Sequence, residues 1–530
     1  MLPVGALSFL SERIGPLAPP RAAVALGAVR LAPAALTGAV RGELSALLGG
    51  GGLRDDHAVR VEHAAGKGYP DLVRLREGHP AQAPDAVLYP HSHGQLRAVL
   101  DACGRASVAV VPFGGGTSVV GGVEPLRGGH DAVVALDLGR LAGVLALDME
   151  SATVTVAGGT RAAALESHLA ARGLTLGHFP QSFEYVTVGG SVATRSAGQA
   201  STGYGSIEKM VLGLRLAAPA FDIDLPAMPA TAAGPGLRQL LVGSEGTLGV
   251  ITEVSLRVRP APRERHYEGV FFTELGAGVE ALRMLAREHA LPDVARLSDE
   301  QETRMSLALS GAGGIKGRLG RAYLAARGYL GGCLAIFGFE GGAEEVAARR
   351  RRALALARSC GGLAVGRKPG EAWLAARFSG PYLRDELLTQ RVMVETLETA
   401  TSWSNLLALH DLLTRAIADA LAALGTPGLV SCHVSHVYET GASLYFTFLA
   451  RQLEGDPLGQ WHAVKRAASE AIVAGGGTIT HHHAVGRDHA PWMGHEIGTG
   501  GLRALAAVKA ELDPAGIMNP GKLLLVNPRG

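Results

Sequence analysis

The stretch Ala109-Val-Val-Pro-Phe-Gly-Gly-Gly-Thr-Ser-Val-Val-Gly-Gly122 constrains this 530-residue chain more than any other. A run of strand character passes straight into three glycines and two hydroxyl residues. Such a loop can turn successive backbone N–H groups onto one anion, and a phosphate or pyrophosphate suits it. A P-loop would need Lys after the last glycine, where Val123 stands. The dinucleotide fingerprint would need Gly at Val119, and Gly121, Gly122 and Pro125 leave no room for its helix. Three comparable segments lie further along: Pro180 to Gly190, Ala193-Thr-Arg-Ser-Ala-Gly198 and Gly243-Ser-Glu-Gly-Thr-Leu-Gly249.

Glycine is abundant overall, 73 residues, but 47% of the chain is apolar and no period is visible, which excludes collagen and disorder. Lys supplies only seven of the 50 basic residues, so part of the glycine reflects GC-rich coding. The near balance of 50 basic against 48 acidic residues argues against a nucleic-acid binder. Four scattered cysteines fit a reducing compartment. No signal peptide and no apolar run long enough to span a bilayer are read, so a cytoplasmic location is expected.

Along the chain, residues 1–80 read as an N-terminal helical extension. Residues 81–262 begin with a β-α-β rhythm and end on the alternating strand Val250 to Val258, before Pro260 and Pro262. Residues 263–480 have an α+β texture of mainly antiparallel feel, and 481–530 carry an internal His triplet on a C-terminal segment.

In their order and approximate spacing the four glycine segments resemble the FAD-binding domain of the vanillyl-alcohol oxidase and p-cresol methylhydroxylase superfamily. The resemblance implies an α+β fold, with a two-subdomain FAD-binding domain at 81–262 and an α+β cap at 263–480, the C-terminal segment closing on the FAD domain. It implies that Pro112, Phe113, Gly114, Gly115, Gly116, Thr117 and Ser118 wrap the pyrophosphate. Gln181, Ser182, Glu184, Thr187, Gly190, Thr194, Arg195, Ser196 and Ala197 would approach the isoalloxazine and ribityl chain. Gly243, Ser244, Glu245, Gly246, Thr247, Gly249 and Val250 would lie toward the adenine. Covalent relatives often use a His in the first loop; none lies between Pro112 and Gly122, so the FAD is expected to be non-covalent.

Hydroxy-acid dehydrogenases of the superfamily carry Gly-Asp-Gly-Asn-Leu-His in the cap. Here the stretch reads Cys432-His-Val-Ser-His-Val-Tyr438-Glu-Thr-Gly441-Ala-Ser-Leu-Tyr445-Phe-Thr-Phe448. With Pro292 to Leu297, Tyr382 to Asp385, Glu395 to Trp403 and Thr480-His-His-His-Ala-Val-Gly486, it resembles the alkyldihydroxyacetonephosphate synthase (alkylglycerone-phosphate synthase) family from about Arg60 to Leu524. Strand alternation sets Ser443, Tyr445 and Thr447 on a polar face, looking into a cavity, where a phenol can exchange a proton or merely cap a neighbour. The resemblance assigns Tyr445 as the general acid/base. It places His481, His482 and His483 beside the flavin for proton shuttling and phosphate binding. It singles out Arg296 and Arg384 as partners of a ketone phosphate, which guanidinium matches.

On a loop or strand the three adjacent histidines cannot all point one way; His481 and His483 would share a face and His482 would oppose it. A metal held with Cys432, His433 or His436 lacks the local spacing of a zinc site, and no metal is expected. The implied reaction exchanges the acyl group of acyl-dihydroxyacetone phosphate for a long-chain alcohol through a flavin N5 adduct, which makes an ether lipid with no net redox change. The alternatives are an FAD-linked dehydrogenase or oxidase of a 2-hydroxy acid or related alcohol, and a flavin-free binding protein. Residues 311–332 carry four basic and no acidic residues among Leu and Tyr. They read equally as a flexible segment for peripheral contact with an anionic membrane's inner face and as a solvated loop. A homodimer is a further expectation.

Overall fold

The computed structural model describes residues 5–309 and 315–525. They form two compact units, each assembled from separate pieces of chain. One comprises residues 23–197, 206–260 and those after His481; the other comprises residues up to Ala22, 198–205 and 261–481.

Among the described residues the first unit holds two main sheets, of four and five strands, and a short antiparallel pair of Leu174–Thr175 with Arg259–Pro260. In the four-stranded sheet, Ala86–Leu88, Ala132–Asp137 and Val108–Phe113 run parallel, with Leu53–Arg54 antiparallel at one edge. Its valine-rich strands are buried almost throughout, as parallel strands covered by helices must be. The helix His93–Arg105, capped by Ser92 on the Gln95 N–H, brings Leu96, Val99, Leu100 and Cys103 onto Val110, Val134 and Leu136. Ile517 and Met518 from the C-terminal segment complete this core. The second sheet is five-stranded and antiparallel, in the order Val144–Asp148, Thr153–Ala157, Val250–Arg257, Val211–Ala217, Asp222–Leu225. Its central strand buries Val250, Val254 and Leu256 and leaves Glu253, Ser255 and Arg257 half-buried, the alternation of a strand covered on one face.

The second unit is built on seven antiparallel strands. Their order is Leu363–Gly366, Glu264–Phe272, Cys333–Gly341, Val294–Ser298, Leu429–Val437, Gly441–Arg451, Val392–Ser402. The amphipathic helix Leu406–Ala423 packs on these strands, and its His410 stacks on Phe446 at 5.8 Å. Phe446 and Phe448 therefore face the helix, and their neighbour Tyr445 faces the other way.

Three segments differ from their sequence reading, the first being residues 198–205, which the sequence placed within 81–262 and which belong to the second unit. The helix Ala6–Ile14 does not share a unit with the rest of the N-terminal extension: Leu10 and Ile14 pack on Leu387, Val392, Leu429 and Leu449, which draws the start of the chain into the second unit. Of the basic stretch read as a flexible segment or loop, residues 311–314 lie outside the described residues, and Ile315–Ala326 is a helix anchored by buried Leu324.

Candidate active site

The glycine loop begins where the Val108–Phe113 strand ends. Among the described residues, the backbone N–H groups of Gly114 to Val119 have no protein partner, whereas Ser118 Oγ accepts from the Gly122 N–H at 2.9 Å and closes the loop. A run of open donors at the end of a parallel strand fits a diphosphate. The other segments line the same place. A side chain on Gly114 would strike Thr187 Oγ1, one on Gly246 would lie 2.8 Å from the Pro112 ring, and one on Gly243 would lie 2.8 Å from Arg195 Nε. The four segments thus converge through contacts so close that backbone, with no Cβ, is all that fits. Gln181 and Glu184 are exposed on this unit, and Ser182, Thr194 and Ser196 are half-buried.

Several polar side chains in these motifs hold the loops together. Arg195, at φ 50°, donates from Nε to the Val242 carbonyl at 3.0 Å and from Nη2 to the Gln239 carbonyl at 2.8 Å. Thr187 Oγ1 caps the Gly190 N–H, and Thr247 Oγ1 donates to the Ser244 carbonyl. Glu245 accepts from the Val485 and Gly486 N–H groups at 2.8 and 2.7 Å, and burial pushes its carboxyl up to about 7. Asn519 Nδ2 donates to the carbonyls of Glu245 and Gly122. Val485-Gly486, just after the His triplet, are therefore fastened to the last glycine motif. Sequence reading missed Asn519 and this role of Glu245, because each bond joins residues more than 200 positions apart.

His178 was also missed. It is 2% exposed, neither ring nitrogen has a partner among the described residues, and burial, aided by the His482 charge, depresses it to about 4. A neutral imidazole with both nitrogens open is uncommon in a core. The only sequence signal was its place in Gly177-His-Phe-Pro180, just before the second glycine segment. The His482 and His483 rings meet edge-on at 5.0 Å in the same unit.

In the second unit Ser298, His433, Tyr445 and Glu398 are direct cross-strand neighbours on four adjacent strands. They therefore share a face. Tyr445 stacks on His433, centroids 4.8 Å apart at 24°. Tyr445 is 8% exposed, and burial pushes its phenol up to about 12, with Glu398 and Glu395 adding to the rise. Beside the row, Arg296 Nη2 donates to Glu302 Oε1 at 2.8 Å and Arg296 Nη1 donates to His433 Nε2 at 2.9 Å. Burial alone would raise the Glu302 carboxyl; the Arg296 charge and the hydrogen bond from His433 outweigh it and hold Glu302 well below the carboxylate range. Burial and the Arg296 charge lower His433.

Further along, Tyr438 Oη and His481 Nε2 lie 2.5 Å apart, His481 stacks on His436 at 4.9 Å, and Ser201 Oγ bonds His436 Nδ1 at 2.6 Å. Arg384 lies on the helix Gly380–Thr389 with its Nε buried and unpartnered among the described residues. The triplet shows no strand alternation. Residues 481–483 are bends, and the chain passes from one unit to the other between His481 and His482.

Residues 84–220 match the family described as FAD binding domain, and residues 261–523 match the C-terminal domain of FAD linked oxidases. The chain is 33% identical over 479 residues to alkyldihydroxyacetonephosphate synthase of Dictyostelium discoideum, covering 89% of this chain and 78% of that protein. It is 34% identical over 490 residues to alkyldihydroxyacetonephosphate synthase of Trypanosoma brucei brucei, covering 91% and 80%. A solved alkyldihydroxyacetonephosphate synthase superposes with TM-score 0.84 at 29% identity over 97% of this chain and 91% of the other. p-Cresol methylhydroxylase superposes with TM-score 0.69 at 15% identity, which establishes a shared fold. The protein is a flavoprotein whose cofactor is FAD, and the open donors of the first loop fit that cofactor's diphosphate.

Proposed function

The chain belongs to the alkyldihydroxyacetonephosphate synthase family, and from that premise we propose that it exchanges the acyl group of acyl-dihydroxyacetone phosphate for a long-chain alcohol. The products are the alkyl ether of dihydroxyacetone phosphate and a free fatty acid. When bound, FAD supplies an electron-accepting ring that stabilises carbon-centred charge on the substrate without net oxidation. The observation that carries the reading is the row His433–Tyr445–Glu398 with Arg296 alongside: a phenol held protonated at neutral pH next to a guanidinium.

In this reading Tyr445 gives a proton to the departing carboxylate and takes one from the entering alcohol. Arg296 holds the substrate phosphate, with Arg384, through the N–H groups not already engaged. His481, with Tyr438 on Nε2, and His482 and His483 carry protons and contact the phosphate. The four glycine segments hold FAD without a covalent bond. Peripheral membrane contact belongs to the helix Ile315–Ala326 and the turn after it, where Leu319, Tyr323 and Leu330 are exposed beside Arg318, Arg321 and Arg327. Among the described residues no helix is long and apolar enough to cross a membrane. Leu319→Glu with Leu330→Glu should lower co-sedimentation with anionic liposomes, and unchanged binding would remove the contact from the proposal.

The central test is anaerobic incubation of the yellow protein with palmitoyl-dihydroxyacetone phosphate and hexadecanol. Ether product without net flavin bleaching is expected. Bleaching by a simple 2-hydroxy acid, with no ether formed, would overturn the reading in favour of a dehydrogenase.

A further inference from the structure

Arginine can only donate hydrogen bonds, so the contact from Arg296 Nη1 requires His433 Nε2 to accept. The His433 proton must then sit on Nδ1, 3.0 Å from Glu302 Oε1, the same oxygen that receives Arg296 Nη2 at 2.8 Å. One carboxylate oxygen thus fixes a tautomer and a guanidinium plane together. Its own position is fixed by backbone. Asp299 Oδ1 accepts from the Glu302 N–H at 2.6 Å, while Asp299 Oδ2 accepts from the Cys432 N–H at 2.7 Å. The start of the helix Glu300–Leu309 is thereby pinned to the strand carrying His433. Glu302 is 6% exposed and His433 4%, so water does not compete for these bonds.

We infer that Glu302 is a positioning and charge-balancing residue: it orients the His433 ring on which Tyr445 stacks, and it neutralises Arg296 so that the anionic substrate is held without being trapped. The inference rests on the synthase reading. It assigns to Glu302 a function separable from stability. With Glu302 ionised, Arg296 cationic and His433 neutral, the cluster carries no net charge, and a phosphate meets a guanidinium already half-compensated.

Glu302→Gln keeps the shape, removes the negative charge and weakens the tautomer constraint. With FAD absorbance and melting temperature retained, KM for acyl-dihydroxyacetone phosphate should fall about threefold to tenfold while kcat falls about tenfold to a hundredfold, a split that structural damage does not produce. Glu302→Asp keeps the charge on a shorter arm, so KM should stay at the parent value while kcat falls. If Glu302→Gln loses FAD or melts early, Glu302→Asp carries the test alone. A rise in KM for either folded variant, or an unchanged kcat, overturns the inference. Absence of ether product from the parent enzyme would instead defeat the synthase reading.

Discussion

The two units build their candidate sites from opposite materials. In the flavin unit the lining is backbone: open N–H groups from Gly114 to Val119, and glycines pressed so closely on Thr187, Pro112 and Arg195 that no side chain fits. In the cap unit the site is side chains, with Arg296, Glu302, His433, Tyr445 and Glu398 each arriving from a different element of one sheet and its adjoining helix. The difference teaches where each site is vulnerable. A backbone cradle fails when a residue is enlarged, and a side-chain cluster fails when a functional group is deleted.

The sharpest way to break that contrast is to enlarge one glycine. Gly114→Val forces a branched side chain into Thr187, so the purified protein should be colourless, with flavin absorbance lost and all activity with it. A yellow Gly114→Val protein would mean that this loop does not hold the cofactor. Deleting one oxygen in the other unit should do the reverse. Tyr445→Phe should retain FAD and lose about a hundredfold to ten-thousandfold in kcat, the range associated with one general acid/base. Loss of FAD from that variant would dissolve the distinction between the units.

A third variant tests the cluster's stability. Arg296→Met leaves Glu302 buried without its main counter-charge, which costs about 3–5 kcal/mol when one partner of a buried pair is removed. The expected readout is a marked drop in the urea midpoint. Adding Glu302→Met should recover most of it, since paired apolar replacements of buried ions are often neutral.

The same contrast explains what could be read before the fold was known. The cradle is legible because it is contiguous: a strand, three glycines and two hydroxyls stand in one line at 109–118. Tyr445 was legible through two-residue alternation, since Ser443 and Thr447 flank it on the polar side and Phe446 and Phe448 alternate onto the helix. Glu302 and His178 carried no such mark. Their environments depend on register between strands and on loops far away in sequence, and a single Glu on a helix or His before a Pro is ordinary in isolation. The His triplet stayed open between loop and strand for a related reason: alternation applies only to strands, and residues 481–483 bend as the chain changes units.

The smallest expected effect lies in the flavin unit, where two buried groups titrate in opposite directions. Burial raises Glu245 to about 7 from an ordinary 4.5, so its favourable contribution is complete below 4.5 and is lost as pH rises through 7. Burial depresses His178 to about 4 from 6.5, so its contribution is complete above 6.5 and is lost as pH falls through 4. Between about pH 4.5 and 6.5 the two slopes oppose each other. Glu245→Gln keeps an acceptor for one of the two N–H groups and removes the charge. Its melting temperature, measured relative to the parent, should improve steadily from pH 4.5 to 7 and then level off, because every other titrating group cancels in the difference. A difference that stays flat across that window would mean that Glu245 is ionised throughout. The bond from Val485 and Gly486 to the last glycine motif would then be a permanent charged clamp.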